Sequence, residues 1–166
     1  MAKDSSFDIV STTDMQEVDN AYQQTVREIA QRYDLKGSGS TIELDRSAGT
    51  ITVQAPADFV AGQIIEILNT RLIRRKVDPK SVTWGASQAA SGGTVRKTGT
   101  IVQGIDQDTA RKIRKDLQDQ KMNKVKVTIE GDKLRVTSPS KDQLQNVIAF
   151  LRDQDYGQPL SFENYR

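Results

Sequence analysis

The chain has no cysteine and no histidine in 166 residues. Disulfides, thiol nucleophiles and thiolate metal sites are therefore excluded, as are zinc sites of the His/Cys type and triads with a histidine base. Aromatic residues are scarce: one tryptophan, four tyrosines and four phenylalanines. No apolar run approaches the roughly 20 residues that a membrane-spanning helix needs, and the polar start MAKDSS does not resemble a signal peptide. No GxxxxGK[ST], GxGxxG or GxSxG motif occurs. These absences point away from catalysis, from a metal or other cofactor, and from a membrane. They leave a soluble globular protein for which a cytoplasmic location is expected.

What is present is a repeat. ITVQAPADFVAGQIIEIL from Ile51 and LRVTSPSKDQLQNVIAFL from Leu134 align without a gap. Val53 matches Val136, Pro56 matches Pro139, Ile65 matches Ile148 and Leu68 matches Leu151. Each copy reads as an alternating strand, a proline-containing turn and a helix at three-and-four spacing. Upstream, TIEL and KVTIE supply a partner strand, joined through LDRSAGT in one copy and GDK in the other, so each copy contains a β-hairpin. A further amphipathic segment precedes each hairpin. In the first half Met15, Val18, Tyr22, Val26, Ile29 and Tyr33 form its stripe, with Thr13 and Gln16 as a capping box. In the second half Ala110, Ile113 and Leu117 form the stripe, with Asp106 as N-cap, and Ser140 with Gln143 caps the last helix.

SFDIVS and SVTWG frame the first half, and TVRKTGTIVQG and PLSFENY the second. The order βαββαβ therefore occurs twice. The expected fold class is α+β: tandem ferredoxin-like units, each a four-stranded antiparallel sheet with two helices on one face. The expected units are 1–90 and 91–166, with ASQAASGG as the linker between them; the strand at 6–11 has the alternative of crossing over to pair with the other sheet, which periodicity does not settle.

The paired central strands TITVQ and LRVTS carry no aromatic residue. Their outward positions are Thr52, Gln54, Arg135 and Thr137, and Trp84 alternates with Val82 as a core residue would. Base stacking in the manner of RNA-recognition domains is thus disfavoured. Basic charge concentrates in residues 94–141, which hold 12 lysines and arginines against 6 acidic residues. Arg111, Lys112, Arg114 and Lys115 give the third helix a basic flank, read either as a solvated face or as a surface for phosphates. Arg71, Arg74 and Arg75 end the second helix, where cations complement the helix dipole. RYDLKGSGS, with Gly37 and Gly39, is either a flexible connection or a loop that offers backbone N–H groups to a phosphate.

SFDIVS, RYDLKGS, ASGGTVR, IVQGID, DTARKI, GDKLRVTSPSKDQLQ and SFENYR, taken together and in order, resemble the YajQ family over essentially the whole chain. The resemblance implies two ferredoxin-like units akin to RNA-binding folds. It also implies nucleotide binding, with cyclic di-GMP and nucleic acid among members' ligands, and it brings no catalytic residues. Two positions depart from the pattern: Thr100 stands where the family often has lysine, and Leu35 where it usually has phenylalanine. The expectation is a non-enzymatic protein that binds a nucleotide, cyclic dinucleotide or RNA segment. Its expected contacts are the polar members of the matching motifs, Arg32, Lys36, Arg96, Gln103, Lys112 and Lys115, together with strand backbone. The alternative is an adaptor that docks a protein partner on its open sheet faces.

Overall fold

The computed structural model describes residues 3–166; the first two residues of the expected unit 1–90 lie outside the described residues. The described residues form nine strands and four α-helices, in the order β1 (Ser5–Val10), α1 (Met15–Gln31), β2 (Thr41–Asp45), β3 (Thr50–Ala55), α2 (Asp58–Arg74), β4 (Val82–Trp84), β5 (Gln88–Ala89), β6 (Val95–Ile101), α3 (Gln107–Asp119), β7 (Lys126–Glu130), β8 (Lys133–Ser138), α4 (Lys141–Arg152) and β9 (Ser161–Glu163). No helix among the described residues is long and apolar enough to cross a membrane.

Two antiparallel sheets result, one ordered β2-β3-β6-β4 with β5 paired to β6, the other β7-β8-β1-β9. The α+β expectation of two ferredoxin-like units holds, but each sheet takes its central strand from the other half of the chain. β1 pairs with β8 and β9, while β6 pairs with β3 and β4. The first unit is Thr13–Val102, and the second comprises the residues up to Thr12 together with Gln103–Arg166. A division at residue 90 therefore does not describe the sheets. Nor is ASQAASGG the linker: Gln88 and Ala89 pair with Arg96 and Val95 within the first unit.

Side-chain chemistry explains the exchange. Gly99 lies between Ile51 of β3 and Trp84 of β4. A Cβ at Gly99 would come within 2.5 Å of Val82 Cγ1 and 3.0 Å of the Trp84 ring. The position equivalent to Gly99 in β1 is Ile9, which lies opposite Phe162. Ile9 therefore has no room beside Trp84, because packed cores tolerate little added volume. Likewise Asp8 lies opposite Arg135 in β8. The equivalent of Arg135 in the first sheet is Thr52, which offers no cation, and a buried carboxylate without a partner is costly.

Each unit has its own core. In the first, Val18, Ala21 and Ile29 of α1 and Ile64, Leu68 and Leu72 of α2 pack on Ile51, Val53 and Ile101, with Trp84 against this cluster. In the second, Ile113 and Leu117 of α3 and Val147, Ile148 and Leu151 of α4 pack on Phe7, Ile9, Leu134 and Val136. The repeated phrase thus occupies equivalent core positions in both units.

Some local details differ from the periodic reading. The N-cap of α1 is Asp14, which accepts from Gln16 and Glu17 N–H, whereas Thr13 Oγ1 donates to the Val102 carbonyl. Val26 and Tyr33 continue the helical spacing, yet Val26 is half-exposed and Tyr33 fully so. Asp106 and Ser140 cap α3 and α4 as expected. Arg71 pairs with Glu28 at 2.6 Å and Arg75 with Glu17 at 3.9 Å, so two cations of RLIRRK tie α2 to α1.

Candidate functional site

A concavity of about 780 Å³ in the first unit lies between α1 and the edge strand β2. Tyr22, Val26, Ile29 and Ala30 form its α1 wall, Thr41, Ile42 and Glu43 its β2 wall, and the segment Leu35–Ser40 closes one end. That volume is in the range that accommodates a small organic ligand.

The closing loop is built from RYDLKGSGS. Leu35 N–H and Lys36 N–H both donate to the Arg32 carbonyl, and Ser38 N–H donates to that of Leu35. Leu35 is buried and pins the loop to the core. Gly37 and Gly39 have φ of 81° and 78°, and a Cβ on either would meet nothing within 4 Å. Glycine is needed there for its backbone conformation, not for space. Ser38 Oγ and Ser40 Oγ lie 2.7 Å apart, and Ser40 N–H donates to Ser38 Oγ. Among the described residues, the Gly37 and Gly39 N–H groups donate to no protein acceptor, and Lys36 forms no ion pair. Lys36 thus stands beside two uncommitted amides and two hydroxyls, a group suited to an anion.

The equivalent groove of the second unit is far smaller, about 240 Å³, lined by Leu117, Met122, Val125 and Val127 among others. There Met122 and Val125 pack against the core. The Gly/Ser composition of the first unit's loop leaves open what those side chains fill in the second.

The structure distributes the expected contact residues. Arg32 follows α1 and is committed, 3.0 Å from Asp34 and 3.5 Å from Glu28. Its hydrogen bonds hold the Asp34 carboxyl below the usual range. Arg32 lines a second groove of about 570 Å³ with Glu28, Phe59, Gly62 and Glu66. Lys36 lines the larger groove. Arg96 is exposed on the open face of β6, opposite Gln54 and Gln88. Gln54 in turn faces Thr41 of the groove wall, so Thr41, Gln54 and Arg96 form one row across three strands.

Gln103, Lys112 and Lys115 belong to the second unit, where all three are exposed. Lys112 Nζ sits 5.7 Å from the centre of the Tyr156 ring. Tyr156 donates to Asp116 at 2.8 Å. Burial, then that hydrogen bond and the Asp116 charge, push the Tyr156 hydroxyl above its ordinary pKa.

Periodicity and composition did not single out Asp8. It is buried on the sheet face opposite the helices, with Lys133, Arg135 and Asn164 donating to its carboxylate at 3.2, 3.1 and 2.8 Å. Burial alone would raise its pKa, but these three donors prevail and lower it to about 2. The available signal was a lone acid inside the apolar strand SFDIV, together with two cations two apart in KLR. Tyr22 and Glu43 of the groove were likewise missed, because nothing in the sequence shows that α1 and β2 stand apart.

Residues 5–166 match the family model described as "Nucleotide-binding protein YajQ-like". A protein of Desulfitobacterium hafniense (strain DCB-2) named nucleotide-binding protein is 48% identical over 166 residues, covering 100% of both chains. One from Magnetococcus marinus, also named a nucleotide-binding protein, is 47% identical over 161 residues, 97% of this chain and 98% of its own. A third, from Alkaliphilus oremlandii, is 42% identical over 166 residues and covers both chains fully. This chain belongs to the YajQ-like family.

Proposed function

We propose that the chain binds a nucleotide in the groove between α1 and β2 and does no chemistry on it. The observation that carries this reading is that the groove is lined by Lys36, which pairs with no acid among the described residues, together with Gly37 and Gly39, whose amides donate to no protein acceptor there. A phosphate there gains charge-assisted hydrogen bonds without first breaking any within the protein. The apolar wall of Val26, Ile29 and Ala30 offers a surface for the base, and the names of the relatives agree with a nucleotide ligand.

The ligand class extends to cyclic dinucleotides and RNA segments. Arg96 lies two strands from Thr41 along the Thr41–Gln54–Arg96 row. Strands are spaced about 4.8 Å apart, which places Arg96 roughly 10 Å across the sheet, within reach of a second phosphate. Lys112 and Lys115, with Gln103, offer the second unit a phosphate contact of its own for an RNA backbone. Arg32, tied to Asp34 and Glu28, acts by holding the start of the loop. Binding without turnover is supported by the groove's single carboxylate, Glu43, which has no hydrogen-bonded acid or base partner among the described residues. Such a ligand agrees with a cytoplasmic site of action.

The test is an equilibrium titration with labelled AMP, GMP, cyclic di-GMP and a short single-stranded RNA. The wild-type chain, Lys36→Ala and Arg96→Ala are compared, and the nucleotides are analysed afterwards for breakdown. The reading expects saturable binding of at least one probe, about tenfold weaker in Lys36→Ala, with the probe recovered intact. If no probe binds, or if Lys36→Ala binds like wild type, the groove is not the site. A protein partner on the open sheet faces would then be the better account.

A further inference from the structure

Strand β2 lines the α1–β2 groove with three consecutive residues, Thr41, Ile42 and Glu43. Successive side chains of a strand point to opposite faces. Ile42 is buried in the core, whereas Thr41 and Glu43 are exposed on the open face. What the three share is the edge of the strand, so this wall of the groove is backbone. β2 pairs with β3 alone, and the N–H and C=O groups along its other side meet no strand among the described residues. Such an edge is a template for one further strand. The facing wall is apolar: Val26 continues the spacing of α1 yet is 41% exposed, beside Ile29 and Ala30. In the second unit the chain's own Met122 and Val125 pack into the equivalent place. Apolar side chains are what this part of the fold takes, and the Gly/Ser loop of the first unit supplies none.

We propose that the groove binds the C-terminal end of a peptide chain, added to β2 as an antiparallel strand. β2 leaves the loop at Thr41, so an antiparallel partner runs toward the loop and delivers its C-terminus there. Its α-carboxylate meets Lys36 and the Gly37 and Gly39 amides. Among the described residues, that lysine pairs with no acid and those amides donate to no protein acceptor. Strand addition at an open edge and capture of a carboxylate by backbone amides are recurring modes of peptide recognition.

Strand alternation then fixes the side chains. With the last peptide residue opposite Ser40, that residue and the third from last point toward α1, where Val26 and Ile29 favour apolar groups. The fourth and sixth from last share the open face with Glu43 and Asp45. Neither acid forms an ion pair among the described residues, so lysine or arginine at those two positions completes the match. A second copy of this chain fits worse, because β2 against β2 brings only carboxylates and threonines to the shared open face. The inference rests on the nucleotide reading for the anion site at Lys36 alone. Each ligand places an anion there, so peptide and nucleotide exclude one another.

The test is fluorescence anisotropy with the peptide Lys-Ala-Lys-Val-Thr-Val, labelled at its N-terminus and ending in a free carboxylate. It is titrated with the full chain in the absence of nucleotide. Wild type is expected to bind it with a dissociation constant below about 1 mM, and its C-terminal amide about tenfold more weakly. Lys36→Ala is expected to narrow that difference between acid and amide. Glu43→Lys is expected to bind this peptide several-fold more weakly, and to bind Glu-Ala-Glu-Val-Thr-Val more tightly than wild type does. Unfolding cannot produce such a gain. Nucleotides are titrated separately, so a chain that binds the peptide but no nucleotide keeps this inference and loses the nucleotide reading. A wild-type chain that binds neither peptide would overturn the proposal. Equal affinity for acid and amide would do so too, as would a Glu43→Lys chain that ranks the two peptides as wild type does.

Discussion

Asp8 and Arg135 stand 127 positions apart in sequence and meet at 3.1 Å in the centre of the second unit's sheet. Lys133 and Asn164 complete the same cluster. Three of the motifs that carry the family resemblance, SFDIVS, GDKLRVTS and SFENYR, thereby converge on one carboxylate. Asn164, at φ 56°, turns the chain after β9 so that its amide reaches Asp8. Phe7 and Phe162 pack edge to face with ring centres 5.8 Å apart. These motifs record how the exchanged strand is held in place.

Acid should loosen this cluster before it disturbs the rest of the core. The Asp8 pKa is lowered to about 2 in the folded chain, below the ordinary carboxylate value of 3.8. A carboxylate depressed on folding contributes stability that is fully present above its unfolded value and is lost as pH falls through its folded one. The contribution is roughly 2 kcal/mol and disappears between about pH 4 and pH 2. Urea melts of wild type and Asp8→Asn over that range check it. Wild type should lose stability toward the variant as the pH drops, and a constant gap between them would remove Asp8 from the account.

Gly99→Ala should destabilise the first unit by about 1–3 kcal/mol, the usual cost of forcing atoms into a filled core. The new Cβ would come within 2.5 Å of Val82 and 3.0 Å of the Trp84 ring. Thr98→Ala, one position away on the exposed face, should be near neutral and serves as the control. Paired denaturant melts settle the comparison.

Leu35→Ala should cost about 2–4 kcal/mol through the cavity it leaves, because Leu35 is only 1% exposed. It should also weaken nucleotide binding, since Leu35 anchors the loop that carries Lys36. Thermal melts measure the first effect, and titration at a temperature where the variant is fully folded measures the second.

Arrays of apolar spacing, as in β3 with α2 and β8 with α4, were legible because burial imposes a period that the letters repeat. Caps at Asp106 and Ser140 were legible for a similar reason, since a short polar side chain must satisfy N–H groups at a fixed offset. The partner of each strand was not. β1 and β6 both lie beside a β-hairpin strand of their sheet, and Gly99 against Trp84 and Asp8 against Arg135 distinguish their places. Such matches join residues far apart in sequence. The basic patches were also only half legible. Arg32 reads as a ligand contact and Arg71 and Arg75 as partners of the helix dipole, yet each is paired to an acid of α1 or its following loop. Lys36 differs because no acid among the described residues lies within ion-pair distance, a fact of three dimensions. Leu35 and Thr100, the two departures from the family pattern, fall in the loop that carries Lys36 and on the open face of β6 respectively.

The central claim, that a nucleotide sits on the Lys36 loop, is tested most directly by amide-resolved NMR during titration with the tightest-binding probe. The account predicts that the Gly37 and Gly39 amide signals move first and furthest, followed by those of Ser38, Ser40 and Thr41, and that Lys36→Ala reduces these shifts at equal probe concentration. Saturable binding that leaves the Gly37 and Gly39 signals in place, with shifts confined to α3 around Lys112 and Lys115, would contradict it.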